Sequence, residues 1–160
     1  MLFLFLGGII FGLIIVFRII EPTYLLLYNK PLFIFWHPIL NKMNGADKTI
    51  LRREFPFYLN LSDKKKGYFE HRVKCFIDHY NFDGKDIEVT QEMKLIIAGT
   101  YVMLTFGMRK YLPTIISAII LYPDAFTSAN RQDLHKGEFN PLAGAVVFSW
   151  KHFVEGNAYN

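Results

Sequence analysis

An uncharged apolar run at the amino terminus constrains the fold more than any other feature of this chain. Residues 1–17 contain no charged side chain and no Asn, Gln, His or Pro, and Ile19 and Ile20 extend the run past Arg18. About 20 helical residues span the roughly 30 Å hydrocarbon layer of a bilayer. We therefore predict a transmembrane helix over residues 1–20. A cleaved signal peptide fits less well, because no basic residue precedes the run and no small-x-small pattern follows it.

The charges that flank this run predict its orientation. Arg18, Lys30 and Lys42 follow it, against Glu21 alone. The positive-inside rule then places the rest of the chain in the cytoplasm. A single cysteine, Cys75, is compatible with that compartment and excludes an intrachain disulfide framework.

Residues 21–45 form an interfacial or linker segment by composition. Tyr24 to Leu40 is apolar and aromatic, but Asn29, Lys30 and Pro31 interrupt it. This stretch is expected to lie along a membrane surface or to pack as a pair of strands. Lys30 disfavours a second membrane-spanning helix, because it would fall near the centre of the span.

The remaining residues, 46–160, predict an α+β domain with a small mixed sheet. With 52% hydrophobic and 20% charged residues, the chain is not of the disordered class. Its pattern predicts a short helix ending near Phe55, a helix after Ser62, a turn at Asn81–Lys85, a strand at Asp86–Val89, a core helix at Gln91–Phe106 capped by Thr90, strands at Ile115–Tyr122 and Ala145–Trp150, and a loop or edge strand at Thr127–Asn140.

Basic residues are concentrated in one stretch of this domain. Between residues 41 and 74 there are nine Lys or Arg and four Asp or Glu, against a net charge of +4 for the whole chain. Attraction to an anionic inner leaflet, binding of nucleic acid and a merely solvated helix face are the three interpretations. We expect membrane lipid as a partner and no nucleic acid, and the sequence leaves the oligomeric state open.

A few polar side chains could carry chemistry. His71, Cys75 and His79 recur at every fourth position of the helix after Ser62, opposite its apolar stripe of Phe69, Val73 and Phe76, so we expect them to be solvated. Residues four apart could chelate a metal ion as a pair, but His71 and His79 are about 12 Å apart along the axis. Their pattern therefore predicts no complete metal site.

The other candidates are weaker still. His135 and Glu138 share a polar loop, in which an imidazole and an acid could be catalytic or merely solvated. His37 and His152 are isolated. The sequence contains no H-E-x-x-H, G-x-S-x-G, P-loop or G-x-G-x-x-G motif. We therefore assign no catalytic, cofactor-binding or metal-binding residue.

Several segments together resemble a known enzyme family. Glu54–Tyr58, Leu61–Ser62, Tyr68–Val73, Thr90–Ala98, Val102–Gly107, Ile120–Pro123 and Val146–Trp150 follow one another in the order and spacing seen in zinc-dependent peptidases related to Mlc titration factor A. The chain is most similar to the membrane-anchored, Bacteroidetes-type versions, which carry a segment like His135–Pro141. Lys151 and His152 depart from the acidic pair that usually follows the matching Trp.

The resemblance implies the N-terminal portion of a single-pass peptidase of the bacterial inner membrane. Such enzymes bind zinc through H-E-x-x-H and a downstream acid, and in the family that helix follows the strand matching Ala145–Trp150. No residue here matches a zinc ligand or the catalytic Glu, so we expect the chain alone to bind no zinc and to be inactive. By analogy, an exposed strand near Ala145 would align a peptide or protein substrate. The alternative is a membrane-tethered interaction protein without catalysis.

Overall fold

The computed structural model describes residues 1–29, 34, 35, 37, 39–127 and 134–157. These residues form the predicted α+β class, with an apolar N-terminal helix, further helices and a small mixed sheet. The chain divides into two compact units, the first made of residues 1–37 and 107–109, and the second of residues 38–106 and 110–160.

The first unit is built on one continuous helical stretch. It consists of α1 (Leu2–Ile15), a π-helical turn (Val16–Ile20) and α2 (Glu21–Tyr28). Asn29 ends it in the left-handed region, with φ of 51°, which Asn adopts more readily than most residues. Among the described residues, the span Phe3–Tyr28 is the one helix long and apolar enough to cross a membrane, a test that signal sequences also pass.

The helix therefore continues past residue 20, where the sequence predicted its end. The last part of it, Tyr24–Tyr28, belongs to the stretch expected to lie on a membrane surface or to form strands, and it is helical. Residues 30–33, 36 and 38 of that stretch lie outside the described residues. The division into segments 1–20, 21–45 and 46–160 stays a prediction.

Two helices of the second unit begin at a residue whose side chain accepts a hydrogen bond from a free backbone N–H group. Asn44 Oδ1 accepts a hydrogen bond from Asp47 N at 2.7 Å, and Thr90 Oγ1 accepts one from Met93 N at 3.2 Å, as predicted for Thr90. The described helices of this unit are α3 (Gly45–Glu54), α4 (Pro56–Leu59), α5 (Asp63–His79), α6 (Gln91–Leu104) and α7 (Trp150–Asn157).

The main sheet has four strands in the order β1-β2-β6-β5. Its strands are β1 (Asn81–Gly84), β2 (Ala118–Tyr122), β6 (Ala145–Ser149) and β5 (Gly137–Asn140), and a separate pair is formed by β3 (Phe126–Thr127) and β4 (Leu134–His135). β1, β2 and β6 are parallel, whereas β5 runs antiparallel to β6. The strands predicted near residues 115–122 and 145–150 are confirmed.

One pair of predictions was wrong, because a turn and a strand are exchanged. Asn81–Gly84, predicted as a turn, is β1, and Asp86–Val89, predicted as a strand, is not one. Pairing with the buried strand β2 holds β1 extended. After β1 the chain turns back, and Asp86 adopts a φ of 58° in this turn. The turn brings Ile87 so close to Gly84 that a Cβ on Gly84 would lie 1.9 Å from Ile87 O.

The core of the second unit lies where α5 and α6 pack together. The Phe69 ring lies 5.5–6.2 Å from the rings of Phe55, Phe57, Tyr58 and Phe106. The predicted stripe of α5 is buried, and α6 is central as expected: Leu95, Ala98 and Val102 have no exposed surface. This core supports one face of the sheet.

Candidate functional site

A free strand edge is the clearest binding feature of the second unit. Lys136 O accepts a hydrogen bond from Ser149 N at 2.9 Å, and Glu138 lies opposite Val147 in the β5–β6 register. Hydrogen-bonded pairs alternate along an antiparallel ladder, so Glu138 bonds to β6. The backbone N–H and C=O groups of Gly137 and Phe139 therefore point away from β6. No described strand pairs with β5 on that side.

The order β1-β2-β6-β5 leaves β1 and β5 as the two edge strands among the described residues, so the expectation of an exposed strand at Ala145 was wrong. Ala145 begins β6, which is paired on both sides, to β2 and to β5. That expectation came by analogy with the resembled family, whereas the sequence pattern itself predicted a loop or edge strand at Thr127–Asn140, the stretch that contains β5. Apolar character marks an interior strand, whereas the edge falls on the polar segment Gly137–Asn140.

An apolar cavity lies under the face of the sheet that carries the Val146 and Phe148 side chains. Phe139 is 42% exposed and stands opposite Val146, so both side chains point to one face. That face, together with α5 and α6, forms a cavity of about 290 Å³. The residues that line it are Phe76, Tyr80, Ile97, Thr100, Tyr101, Leu104, Ile116, Ile119, Val146, Phe148 and Phe153. Burial raises the pKa of Tyr80 to about 12, and its hydroxyl donates to Pro113 O at 3.0 Å. The cavity is thus lined by uncharged groups.

The three residues spaced along α5 do not share one environment. His71 is 8% exposed, so the expectation that it is solvated was wrong. Its Nδ1 accepts a hydrogen bond from Asn41 N at 2.9 Å, because the chain before α3 covers this side of α5. Cys75 Sγ lies 3.6 Å from His71 Nε2, whereas His79 is exposed and its ring packs against Tyr80.

His135 and Glu138 are placed in different sheets. His135 lies in β4 beside the Phe126 ring, and its Nε2 is buried with no hydrogen-bond partner among the described residues. Glu138 lies in β5 of the main sheet. His135 Nε2 is thus hydrogen-bonded neither to Glu138 nor to another described residue. His37 lies in the first unit.

His152 has partners that the sequence reading missed. Its Nδ1 lies 2.8 Å from Ser149 Oγ and 3.7 Å from Asp124 Oδ1. A nucleophile–base–acid relay needs the two partners on opposite ring nitrogens, whereas here both are at Nδ1. Ser149 Oγ also accepts from His152 N at 3.5 Å, the contact of a helix N-cap. The Ser149 side chain, in contact with the His152 ring, therefore caps the N-terminus of α7. A Ser directly before a helical segment was the sequence signal that could have predicted this cap.

A buried polar network also escaped the sequence reading. Tyr58 OH donates to Glu70 Oε1 at 2.6 Å, and Lys48 Nζ lies 2.8 Å from Glu70 Oε2. Burial, and then the bond to Glu70, raises the pKa of Tyr58 well above its usual value. The Arg72 guanidinium is fully buried and donates to Phe106 O at 3.1 Å and Thr105 O at 3.4 Å. Both groups are satisfied internally, which is typical of structural roles.

Four of the nine basic residues between residues 41 and 74 form ion pairs, and a fifth is buried. Lys48 bonds Glu70, Arg53 contacts Glu54 and Glu92, Lys66 contacts Asp63, Lys74 contacts Asp78, and Arg72 is buried. Lys42, Arg52, Lys64 and Lys65 have no ion pair with a described acid. The excess of charge in the sequence thus overstates the free positive surface.

The described residues do not fit a zinc ion. Zinc sites use three or four His, Cys, Asp or Glu donors around one point. In the described part of the chain no three such side chains converge, and His71 already has its Nδ1 bonded to backbone. No step of hydrolysis is assigned to these residues.

Comparison with known proteins gives the class to which this second unit belongs. The chain is a member of the glucose-regulated metallopeptidase M90 family, whose model matches residues 39–159. The predicted family relation is confirmed, and the matched region is a metallopeptidase-like domain.

A curated relative extends beyond the region shared with this chain. An uncharacterized protein of Synechocystis sp. (strain ATCC 27184 / PCC 6803 / Kazusa), slr2042, is 30% identical over 117 residues, which cover 64% of this chain and 42% of that protein. The chain thus spans less than half of this relative's length. No solved structure matches the chain.

Proposed function

We propose that this chain is the N-terminal portion of a membrane-anchored, zinc-dependent metallopeptidase, and that β5 aligns the peptide substrate. The family match over residues 39–159 is the observation that carries the proposal. The 160 residues contain no H-E-x-x-H, so the zinc ligands and the catalytic Glu are assigned to another part of the protein. The chain alone is then a scaffold without peptidase activity.

The free edge of β5 supports the proposed substrate role. An extended peptide can add to a sheet edge by main-chain hydrogen bonds, whereas alternate side chains enter pockets. Gly137 and Phe139 supply the outward backbone groups, and the apolar cavity beside Val146 and Phe148 offers space for a side chain. The expected substrate is therefore an extended, partly apolar peptide segment.

The apolar helix supports the proposed location. The span Phe3–Tyr28 has the length and composition of a membrane span, and Arg18 with the later lysines fits the positive-inside rule. We propose a single-pass protein of the bacterial inner membrane with its second unit in the cytoplasm. Zinc is the proposed metal of the complete enzyme, on the strength of the family alone.

Peptide binding to the full chain in detergent or nanodiscs tests the role of β5. Phe139→Pro removes an outward N–H and should weaken binding of a labelled extended peptide about fivefold, measured by fluorescence anisotropy. Phe139→Ala is the matched control, since it removes the ring but retains the N–H. Glu138→Pro removes a bond to β6 instead and should lower the unfolding free energy.

Two results would contradict the proposal. Equal binding by wild type and Phe139→Pro would show that β5 does not pair with the peptide. Zinc-dependent cleavage of the peptide by the 160-residue chain alone would show that it is not merely a scaffold. The alternative, a membrane-tethered interaction protein, uses the same strand edge. An H-E-x-x-H in the coding sequence beyond codon 160 favours the peptidase, and its absence there favours the alternative.

A further inference from the structure

A groove in the first unit joins an apolar surface to a charged end. It is an open groove of about 710 Å³, lined by Ile10, Leu13, Ile14, Phe17, Arg18, Glu21 and Arg109. The apolar members recur at helical spacing on α1 and the π-helical turn. The charged members lie where this helix passes into α2. One elongated surface is therefore apolar over about two turns and polar at one end.

The charges at that end do not cancel. Glu21 is 6% exposed and forms an ion pair with Arg109. Arg18 is exposed and has no ion pair with any acid in the described part of the chain. Two guanidinium groups and one carboxylate leave one positive charge. The exposed Arg18 guanidinium can donate two parallel hydrogen bonds to an anion.

We propose that this groove binds one anionic phospholipid, with the phosphate on Arg18 and an acyl chain along Phe17, Ile14 and Ile10. This rests on the proposed membrane insertion of the helix. The groove offers an apolar surface for an acyl chain and, at one end, basic groups for a phosphate, which is the arrangement within a phospholipid. Its single excess positive charge matches the single negative charge of a phosphodiester. A choline or ethanolamine headgroup adds an ammonium ion, which would need a free carboxylate. Glu21 is already buried and paired, so an uncharged glycerol headgroup fits better.

Native mass spectrometry of the full chain tests the site. The protein is released from nanodiscs that contain equal amounts of phosphatidylglycerol and phosphatidylcholine with identical acyl chains. Wild type is expected to retain one phosphatidylglycerol about fivefold more often than one phosphatidylcholine, the preference given by one basic residue near the membrane surface. Arg18→Gln should abolish the preference. Arg52→Gln makes the same charge change in the second unit and should preserve it.

A second pair of variants separates a built site from general attraction to an anionic surface. Leu13→Trp fills the groove without changing charge and should abolish selective retention. Leu4→Trp, on an exposed part of α1 outside the groove, should not. Retention of both lipids equally by wild type, or an unchanged preference in Arg18→Gln or Leu13→Trp, would overturn the proposal. Alkaline extraction of membranes measures insertion separately, so a chain that stays embedded without lipid preference refutes the lipid site and leaves the anchor intact.

Discussion

At the scale of single residues, Arg72 is a fully buried cation that holds the end of a helix. It closes the carboxyl end of α6 by donating to the carbonyls of Phe106 and Thr105, and its guanidinium lies 4.5 Å from the Tyr111 ring centroid. Arg72→Met should lower the unfolding free energy by about 3 kcal/mol, because buried carbonyls lose their donor. Urea denaturation followed by circular dichroism measures this. Arg52→Met, at an exposed position of α3, should change it by less than about 0.5 kcal/mol.

His71 gives the second unit a pH dependence of predictable sign. Burial, and then the Arg72 charge, lowers the pKa of His71 below its ordinary 6.5. The unfolded chain therefore takes up a proton at a higher pH than the folded chain. Stability is full above about pH 6.5 and falls as the pH drops toward the lowered folded-state pKa.

His71→Asn should flatten this dependence, because Asn keeps an acceptor for the Asn41 N–H but does not titrate. Between pH 7.5 and 5.5 the variant should lose less unfolding free energy than wild type, by at most about 1 kcal/mol. Denaturation curves at several pH values measure the slope. His79→Asn, at an exposed position of the same helix, serves as the control. A wild-type slope in His71→Asn would show that another group titrates.

At the scale of elements, α6 approaches the junction of α3 and α4 through a glycine. A Cβ on Gly99 would lie 2.5 Å from the Phe55 ring, which is itself buried. Ala is the better helix former by about 1 kcal/mol, so helix propensity alone predicts that Gly99→Ala stabilises. The clash with Phe55 should reverse the sign and cost a net 1–3 kcal/mol, on the order seen for overpacked cores.

Thermal or urea denaturation checks this prediction, with Gly45→Ala as the control, since a Cβ there meets nothing within 4 Å. Phe55→Leu should relieve part of the cost in the double variant, because the two sites are in contact. A Gly99→Ala protein as stable as wild type would show that the two helices can separate without loss.

At the scale of the whole molecule, the sequence predicted what depends on local pattern. The helix α6 follows from Thr90 and a nearly all-apolar run, and β2 and β6 follow from β-branched residues. β1 could not be predicted, because Asn81–Gly84 has the composition of a turn and becomes a strand only by pairing with β2, more than thirty residues later. His71 was misplaced for a similar reason: its own helix puts it opposite the core stripe, and the segment at Asn41 that buries it belongs to a distant part of the chain.

The strand order β1-β2-β6-β5 also has a consequence for how the chain reaches its native state. The helices α3, α4, α5 and α6, which form the core, follow one another along the chain, with only β1 between α5 and α6. The centre of the sheet instead pairs two segments that are far apart in sequence, Ala118–Tyr122 and Ala145–Ser149. Contacts between distant segments are slow to form, because a long loop must close first. On the ribosome, the helical core can therefore collapse while the sheet still lacks β6. Until residue 149 emerges, the β6 side of β2 is an unpaired apolar edge, and such edges make an incompletely folded chain prone to aggregate.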